Sequence, residues 1–246
     1  MKHGNILQHI KAILSRLWLE GLPSDKYVDY LRRNGIRVGS NVHFRNPANN
    51  TIDFTRPCLI EFGDNLDINE NFAVLTHDFG TFVFRAVYND FVNSSGKVKI
   101  GSNIVFGRNV TVLKGVEIGD NCIIGAGSIV SKSIPGNSVA VGTPAKVVCS
   151  LQEYYEKRKA LQKEEAMEYG RELAAVKGGV DNLQMSDFPE EWVLFLSEEE
   201  YLQDTAIKRQ VDFRLKGIID IHEFLNRPRP YQNFGEFKQA IKQSII

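Results

Sequence analysis

Of the five histidines in this 246-residue chain, His77 has the setting most suited to chemistry. It stands in the run Thr76-His77-Asp78, where a six-residue repeat loses its phase. An imidazole with an unperturbed pKa of about 6.5 can take a proton at neutral pH, so His77 is a candidate general base. Asp78 beside it could orient the ring, as an acid does in triad-type sites, although adjacent side chains often diverge and a backbone carbonyl could serve instead. The plainer alternative for His77 is a polar residue filling a turn. No histidine falls between His77 and His222, so the spacing of a three-histidine metal site is absent and no metal is expected. His3, His9 and His43 form no motif. Cys58, Cys122 and Cys149 are unevenly spaced, make neither a disulfide framework nor a zinc pattern, and fit a reducing cytoplasm.

Directly after His77, the segment 78–96 carries Phe79, Phe82, Phe84, Tyr88 and Phe91, with Arg85 and Asp90 among them. Long loops in compact domains are often functional, and aromatic faces with a few polar groups suit a sugar ring. Packing of the same rings on the body of the protein or on a neighbouring subunit is the competing use.

Those residues need a rigid support, and the repeat supplies it. Every sixth residue from Ile100 is apolar: Phe106, Val112, Ile118, Ile124 and Val130. Two residues ahead of each stands Val98, Ile104, Val110, Val116, Cys122 or Ser128, all apolar or small. Gly101, Gly107, Gly119 and Gly125 follow the first set, and Asn103, Asn109 and Asn121 come two residues later. Period two within each hexad sends alternate side chains inward, as in a strand, while glycine and asparagine tolerate tight corners. Three such units close one triangular coil of about 18 residues, and coils stack at strand spacing. A weaker copy of the pattern runs through Phe62, Ile68 and Val74, and Val38-Gly39-Ser40-Asn41 with Phe44 reads as the first turn. The stretch 46–57 is irregular, and 78–96 must loop out. The expected fold is mainly β: a left-handed parallel β-helix of about five coils over 36–150, with an N-terminal helical segment 1–35, one extruded loop and a mostly helical C-terminal extension 151–246.

In the N-terminal segment, 6–22 has helical spacing and reads as a packed helix. A second helix is predicted from Ser24, its N-cap, to a stop at Gly35. After the coils, 151–177 reads as a long solvated helix ended by Gly178-Gly179, with further helix-like stretches at 198–208 and 236–245 and a turn at Arg227-Pro228-Arg229-Pro230. Lysine plus arginine equals aspartate plus glutamate, 30 each, which argues against nucleic acid as a partner. No segment has the roughly 18 uncharged apolar residues of a membrane span.

The stretch IGDNCIIGAGSIVSKSIPGNSVAVGTPAKVV, with GSNIVFGRNVTVLKGV and IEFGDNLDINENFAVLTHD upstream, resembles the hexapeptide-repeat acyltransferases. The resemblance covers most of 36–150, and GTPAKVV is its most specific part because periodicity does not require it. Thr76-His77-Asp78 resembles a subgroup of sugar and capsule O-acetyltransferases. The resemblance implies a cytoplasmic homotrimer that binds acetyl-coenzyme A between adjacent β-helices and acetylates a sugar or sugar-nucleotide acceptor, with His77 as the base. By the same correspondence the backbone N–H of Arg108 would meet the oxyanion. Ala126, Gly127, Ser131, Lys132 and Lys146 would hold the coenzyme, the two lysines as charges on its phosphates. Phe79, Phe82, Phe84, Arg85 and Tyr88 are the acceptor candidates. N-acylation of an amino-sugar nucleotide and a non-catalytic scaffold are the alternatives. The tail and the loop 78–96 depart from the minimal family pattern, so the resemblance does not specify the acceptor.

Overall fold

A computed structural model describes residues 21–215 and 220–245. Residues 6–20 of the predicted helix at 6–22, and likewise His3 and His9, lie outside these residues. Two compact units divide the chain, Met1–Tyr154 and Tyr155–Ile246.

The first unit is a parallel coil with three faces. One face stacks β1 (Arg37–Val38), β4 (Ile60–Phe62), β7 (Val98–Ile100) and β10 (Glu117–Ile118). The second stacks β2 (Val42–Phe44), β5 (Leu66–Ile68), β8 (Ile104–Phe106), β11 (Cys122–Ile124) and β13 (Ser138–Val141). The third stacks β3 (Thr51–Ile52), β6 (Ala73–Val74), β9 (Thr111–Val112) and β12 (Ile129–Val130). This arrangement fits a left-handed β-helix. The hexad residues are the interior ladders. Phe44, Ile68, Phe106, Ile124 and Ala140 stand in register on the second face, and Ile52, Val74, Val112 and Val130 on the third. Apart from Ile52 at 7% exposure, each of these side chains is essentially dry. A last strand, β14 (Lys146–Ser150), turns back and pairs antiparallel with β13.

The corner asparagines, the predicted Asn41, Asn103 and Asn121 together with Asn65 and Asn137, do more than tolerate the bend. Asn41, Asn65, Asn103, Asn121 and Asn137 all have φ between 50° and 60°, the left-handed region where a short amide is among the few side chains accepted. Their amides form a continuous ladder of bonds of 2.7 to 3.0 Å down one edge. Asn103→Val removes two rungs and puts a β-branched residue at φ 58°. It should cost roughly 2–4 kcal/mol in urea unfolding, and Asn103→Gly, which relieves the backbone, distinctly less.

Helix α1 (Ser24–Arg33) buries Tyr27, Val28 and Leu31, with Tyr27 edge-on to Phe44 at 5.0 Å. Ser24 is not its N-cap. Pro23 takes that position, and the Ser24 hydroxyl accepts from Phe44 N at 2.8 Å. Gly35 (φ 89°) ends the helix as predicted.

In the second unit, α3 (Leu151–Lys177) continues from the first and stops at Gly178-Gly179. It is not solvated on every side. Ala166, Met167, Gly170 and Ala174 are buried, and a Cβ on Gly170 would lie 2.5 Å from Ile241 Cδ1. The core gathers Phe188, Trp192, Phe195 and Tyr201 with residues of α5 (Thr205–Leu215), α6 (Ile221–Leu225) and α7 (Phe234–Ile245). The remaining helix there is α4 (Glu198–Gln203).

Candidate active site

The site forms where the third face turns toward the first. Parallel pairing of Ile52 with Val74 sets the turn after β3 against the turn after β6. Asp53 leaves the first turn, its N–H donating to the Val74 carbonyl at 3.1 Å; Thr76 and His77 leave the second. The Asp53 carboxylate is 6% exposed and Thr76 is fully buried. Asp53 Oδ1 accepts from Thr55 N at 3.0 Å and Thr55 Oγ1 at 2.6 Å. Its Oδ2 accepts from Thr76 N at 3.0 Å and Thr76 Oγ1 at 2.5 Å, and lies 2.6 Å from His77 Nδ1.

Burial pushes the Asp53 carboxyl up, but the hydrogen bonds from Thr55 and Thr76 outweigh that and hold it well below the usual carboxylate range. An ionised carboxylate only accepts, so the 2.6 Å contact assigns the proton to His77 Nδ1. Nε2 then carries the free lone pair. With its side chain 30% exposed, His77 is fixed on one side and open on the other.

Asp78, the predicted orienter, faces elsewhere. Its Oδ2 pairs with Lys114 Nζ at 2.5 Å and its Oδ1 accepts from Gly80 N at 3.0 Å. The Lys114 ammonium, with Gly80 and Ser94, brings this exposed carboxyl down to about 2. Neighbouring side chains diverge on extended backbone, so Asp78 pins the root of the loop while Asp53, from the preceding coil, holds the imidazole. Asp53 and Thr55 escape the sequence reading because 46–57 breaks the hexad phase, and Thr76 enters it only as part of the run Thr76-His77-Asp78, with no role of its own. Asp53 N–H bonding to the residue before Leu75 shows that the two turns are neighbours despite the broken count.

The other predicted residues fall on different edges of the coil. Arg108 lies between the second and third faces, with its side chain on Glu70 at 2.7 Å and its carbonyl accepting from Gly127 N at 2.8 Å. Ala126 and Gly127 stack at that corner, so closely that a Cβ on Gly107 would lie 2.7 Å from Ala126 Cα. Ser131 and Lys132 follow β12 and are exposed on the His77 edge. The stack reaches this edge through Leu75 N–H on the Val112 carbonyl at 3.0 Å and Leu113 N–H on the Val130 carbonyl at 2.9 Å. Lys146 is exposed at the start of β14. Within one chain, therefore, His77 shares an edge with Ser131 and Lys132 but not with Arg108, Ala126 or Gly127.

The loop is tied at its base. Gly96 N–H donates to the Thr76 carbonyl at 2.9 Å, and His77 and Ser95 form an antiparallel bridge. Its body includes a helix not expected from the sequence, α2 (Thr81–Tyr88), closed by Asn89 in the left-handed region. Phe79, Phe82 and Tyr88 are 65%, 63% and 71% exposed, and Arg85 lies 5.7 Å from the Phe82 ring centre. Phe84 is half-buried, 6.3 Å from Tyr88.

The bacterial transferase hexapeptide family (six repeats) matches residues 97–132. "Protein CapG" of Staphylococcus aureus is 33% identical over 141 residues, 57% of this chain and 81% of that protein. The chain belongs to the hexapeptide-repeat transferases. "Putative acetyltransferase YvoF" of Bacillus subtilis (strain 168) is 30% identical over 139 residues, 56% of this chain and 73% of that protein. The crystal structure of a maltose O-acetyltransferase from Clostridium difficile 630 covers 55% of this chain and 81% of its own at 26% identity, with a TM-score of 0.39. This hexapeptide-repeat protein is an acetyltransferase. Among the described residues, no helix of the transferase is long and apolar enough to cross a membrane.

Proposed function

We propose that this acetyltransferase moves the acetyl group of acetyl-coenzyme A to a sugar hydroxyl, in the assembly of a surface polysaccharide, with His77 as the base. The observation that carries the reading is the buried Asp53 carboxylate on His77 Nδ1 at 2.6 Å, which leaves Nε2 as an exposed acceptor of protons. Nε2 takes the proton of the acceptor hydroxyl as its oxygen attacks the thioester carbonyl. The tetrahedral oxyanion then collapses, the carbon–sulfur bond breaks, and the thiolate recovers the proton from the imidazolium. A scaffold has no use for a buried carboxylate aimed at a half-open histidine.

The exposed rings of Phe79, Phe82 and Tyr88, just beyond His77, support a sugar as the acceptor, with Phe84 and Arg85 completing that surface. The separation of His77 from Arg108, Ala126 and Gly127 supports a site shared between copies. In a closed ring of three, the His77 edge of one chain faces a different edge of the next. The Arg108 N–H would then serve as oxyanion donor to a neighbour's His77, and the coenzyme would lie in the groove between them. Lys132 and Lys146 would meet its phosphates.

The test is thiol release from acetyl-coenzyme A with a panel of sugar, sugar-nucleotide and amino-sugar acceptors. Hydroxyl acceptors should support turnover; turnover only with amines would replace the reading by N-acylation, and none with any acceptor would favour a scaffold. Lys146→Ala should raise KM for acetyl-coenzyme A roughly tenfold with kcat little changed. An unchanged KM would remove Lys146 from the coenzyme site.

A further inference from the structure

The second unit holds a cavity of about 620 Å³ that the transfer reaction does not use. Tyr155, Arg158, Lys159 and Gln162 of α3 line one side; Phe224, Arg227 and Arg229 line another. All four ionisable groups of the lining other than the Tyr155 phenol are cations, although 155–246 carries more acidic than basic residues. Two of these cations, Arg158 and Arg227, pair with Glu165 and Glu223, carboxylates outside the lining; Lys159 and Arg229 are the charges an anion in the cavity would meet.

The arginines are built in rather than scattered. Arg227 and Arg229 both lie over the Phe224 ring, at 5.8 and 5.5 Å from its centre. Pro228 and Pro230 stiffen the turn that carries them. Arg229 is half-buried and donates to the Phe224 carbonyl at 3.0 Å. No carboxylate lies within ion-pair distance of it or of Lys159 among the described residues. Burial lowers the Arg229 pKa and the Glu200 carboxylate offsets only part of that. A guanidinium has five N–H donors, so Arg229 keeps donors to offer. Arg227 pairs with the exposed Glu223, at 2.8 Å, and Lys159 lies 5.7 Å from the Tyr155 ring centre. Arg158 is engaged with Glu165.

We propose that this cavity binds a small phosphate ester carried on a ring, such as a sugar phosphate or a nucleoside diphosphate. The guanidinium groups of Arg227 and Arg229 match phosphate oxygens, Lys159 adds a point charge, and the exposed Tyr155 ring offers an aromatic surface to the ligand's ring. The volume suits a ligand of that size.

Isothermal titration of the full chain tests this with inorganic pyrophosphate, glucose 1-phosphate, uridine diphosphate and neutral glucose as probes. The three phosphorylated probes should bind and glucose should not, and stronger binding of one phosphorylated probe tells a sugar phosphate from a nucleotide. Arg227→Gln and Lys159→Gln, both exposed positions, should each weaken binding several-fold, and together by roughly tenfold or more, with near-ultraviolet dichroism unchanged. Arg229→Lys, which keeps the charge but not the fork, should also weaken it. Absence of binding by every phosphorylated probe at millimolar concentration would overturn the proposal. So would binding that survives the Arg227–Lys159 double variant but is lost in Lys146→Ala, since that site would be the coenzyme's.

Discussion

His77→Ala should yield a folded protein that transfers acetyl groups at least about a hundredfold more slowly. Folding should survive because the loop root is held by backbone bonds, Gly96 N–H to Thr76 and Asp78 N–H to Ser94, that need no imidazole. The rate should fall because, among the described residues, no other group on that edge is placed to take a proton at neutral pH. Lys114 is committed to Asp78, and Asp53 is held ionised by donors on both oxygens. Thiol release at saturating acetyl-coenzyme A, beside a thermal melt, separates the two effects. Near-normal turnover in a folded variant would exclude His77 as the base and would favour an amine acceptor, which needs less help in losing its proton.

Asp53→Asn should be nearly as damaging, by about a hundredfold or more, whereas Asp78→Asn should stay within a few-fold of the parent. An asparagine can accept through one oxygen only, and its amide nitrogen must face donors now satisfied by a carboxylate. If that nitrogen turns to His77, Nδ1 becomes the acceptor and the proton moves to Nε2, the wrong atom for a base. The same change has a signature in stability. Asp53 has a folded pKa below its unfolded value of about 3.9, so its contribution is complete above that pH and is lost as the pH falls through the folded value. Asp53→Asn should therefore have a lower urea midpoint than the parent at pH 7, and the gap should narrow below about pH 4. A gap independent of pH would mean that the ionised carboxylate is not what stabilises this corner. Equal rates for the two aspartate variants would undo the assignment of Asp53 as the positioning residue.

His77 and its coil were legible because the hexad is redundant. Ile100, Phe106 and Val112 announce three faces at once, and the break after Val74 marks where something other than packing governs. The partner of His77 was hidden for the same reason. The path from Phe44 to Thr51 is longer than that from Ile68 to Ala73, and the turns Pro47–Asn49 and Pro57–Leu59 interrupt the first coil. A count of about 18 residues per coil therefore sets Leu59, not Asp53 or Thr55, beneath His77; only the pairing of Ile52 with Val74 brings Asp53 there. Asp78 attracted the orienting role by adjacency, which on extended backbone is a reason for side chains to part. The helix Thr81–Tyr88 lay concealed in residues chosen for exposed rings, where apolar spacing reports a surface rather than a core. On α3 the buried face is made of alanine, methionine and glycine, too small and too narrow a stripe to stand out from its charges.

The reversal at β14 bears on why the molecule has an end. A stack of parallel coils is in principle an open polymer: each finished rung displays N–H and C=O groups that template another, from the same chain or from a different molecule. By laying Lys146–Ser150 antiparallel on β13, the chain occupies that template on its widest face with a strand of the wrong polarity to propagate the winding. The segment that closes the GTPAKVV run thus also ends the parallel winding on this face.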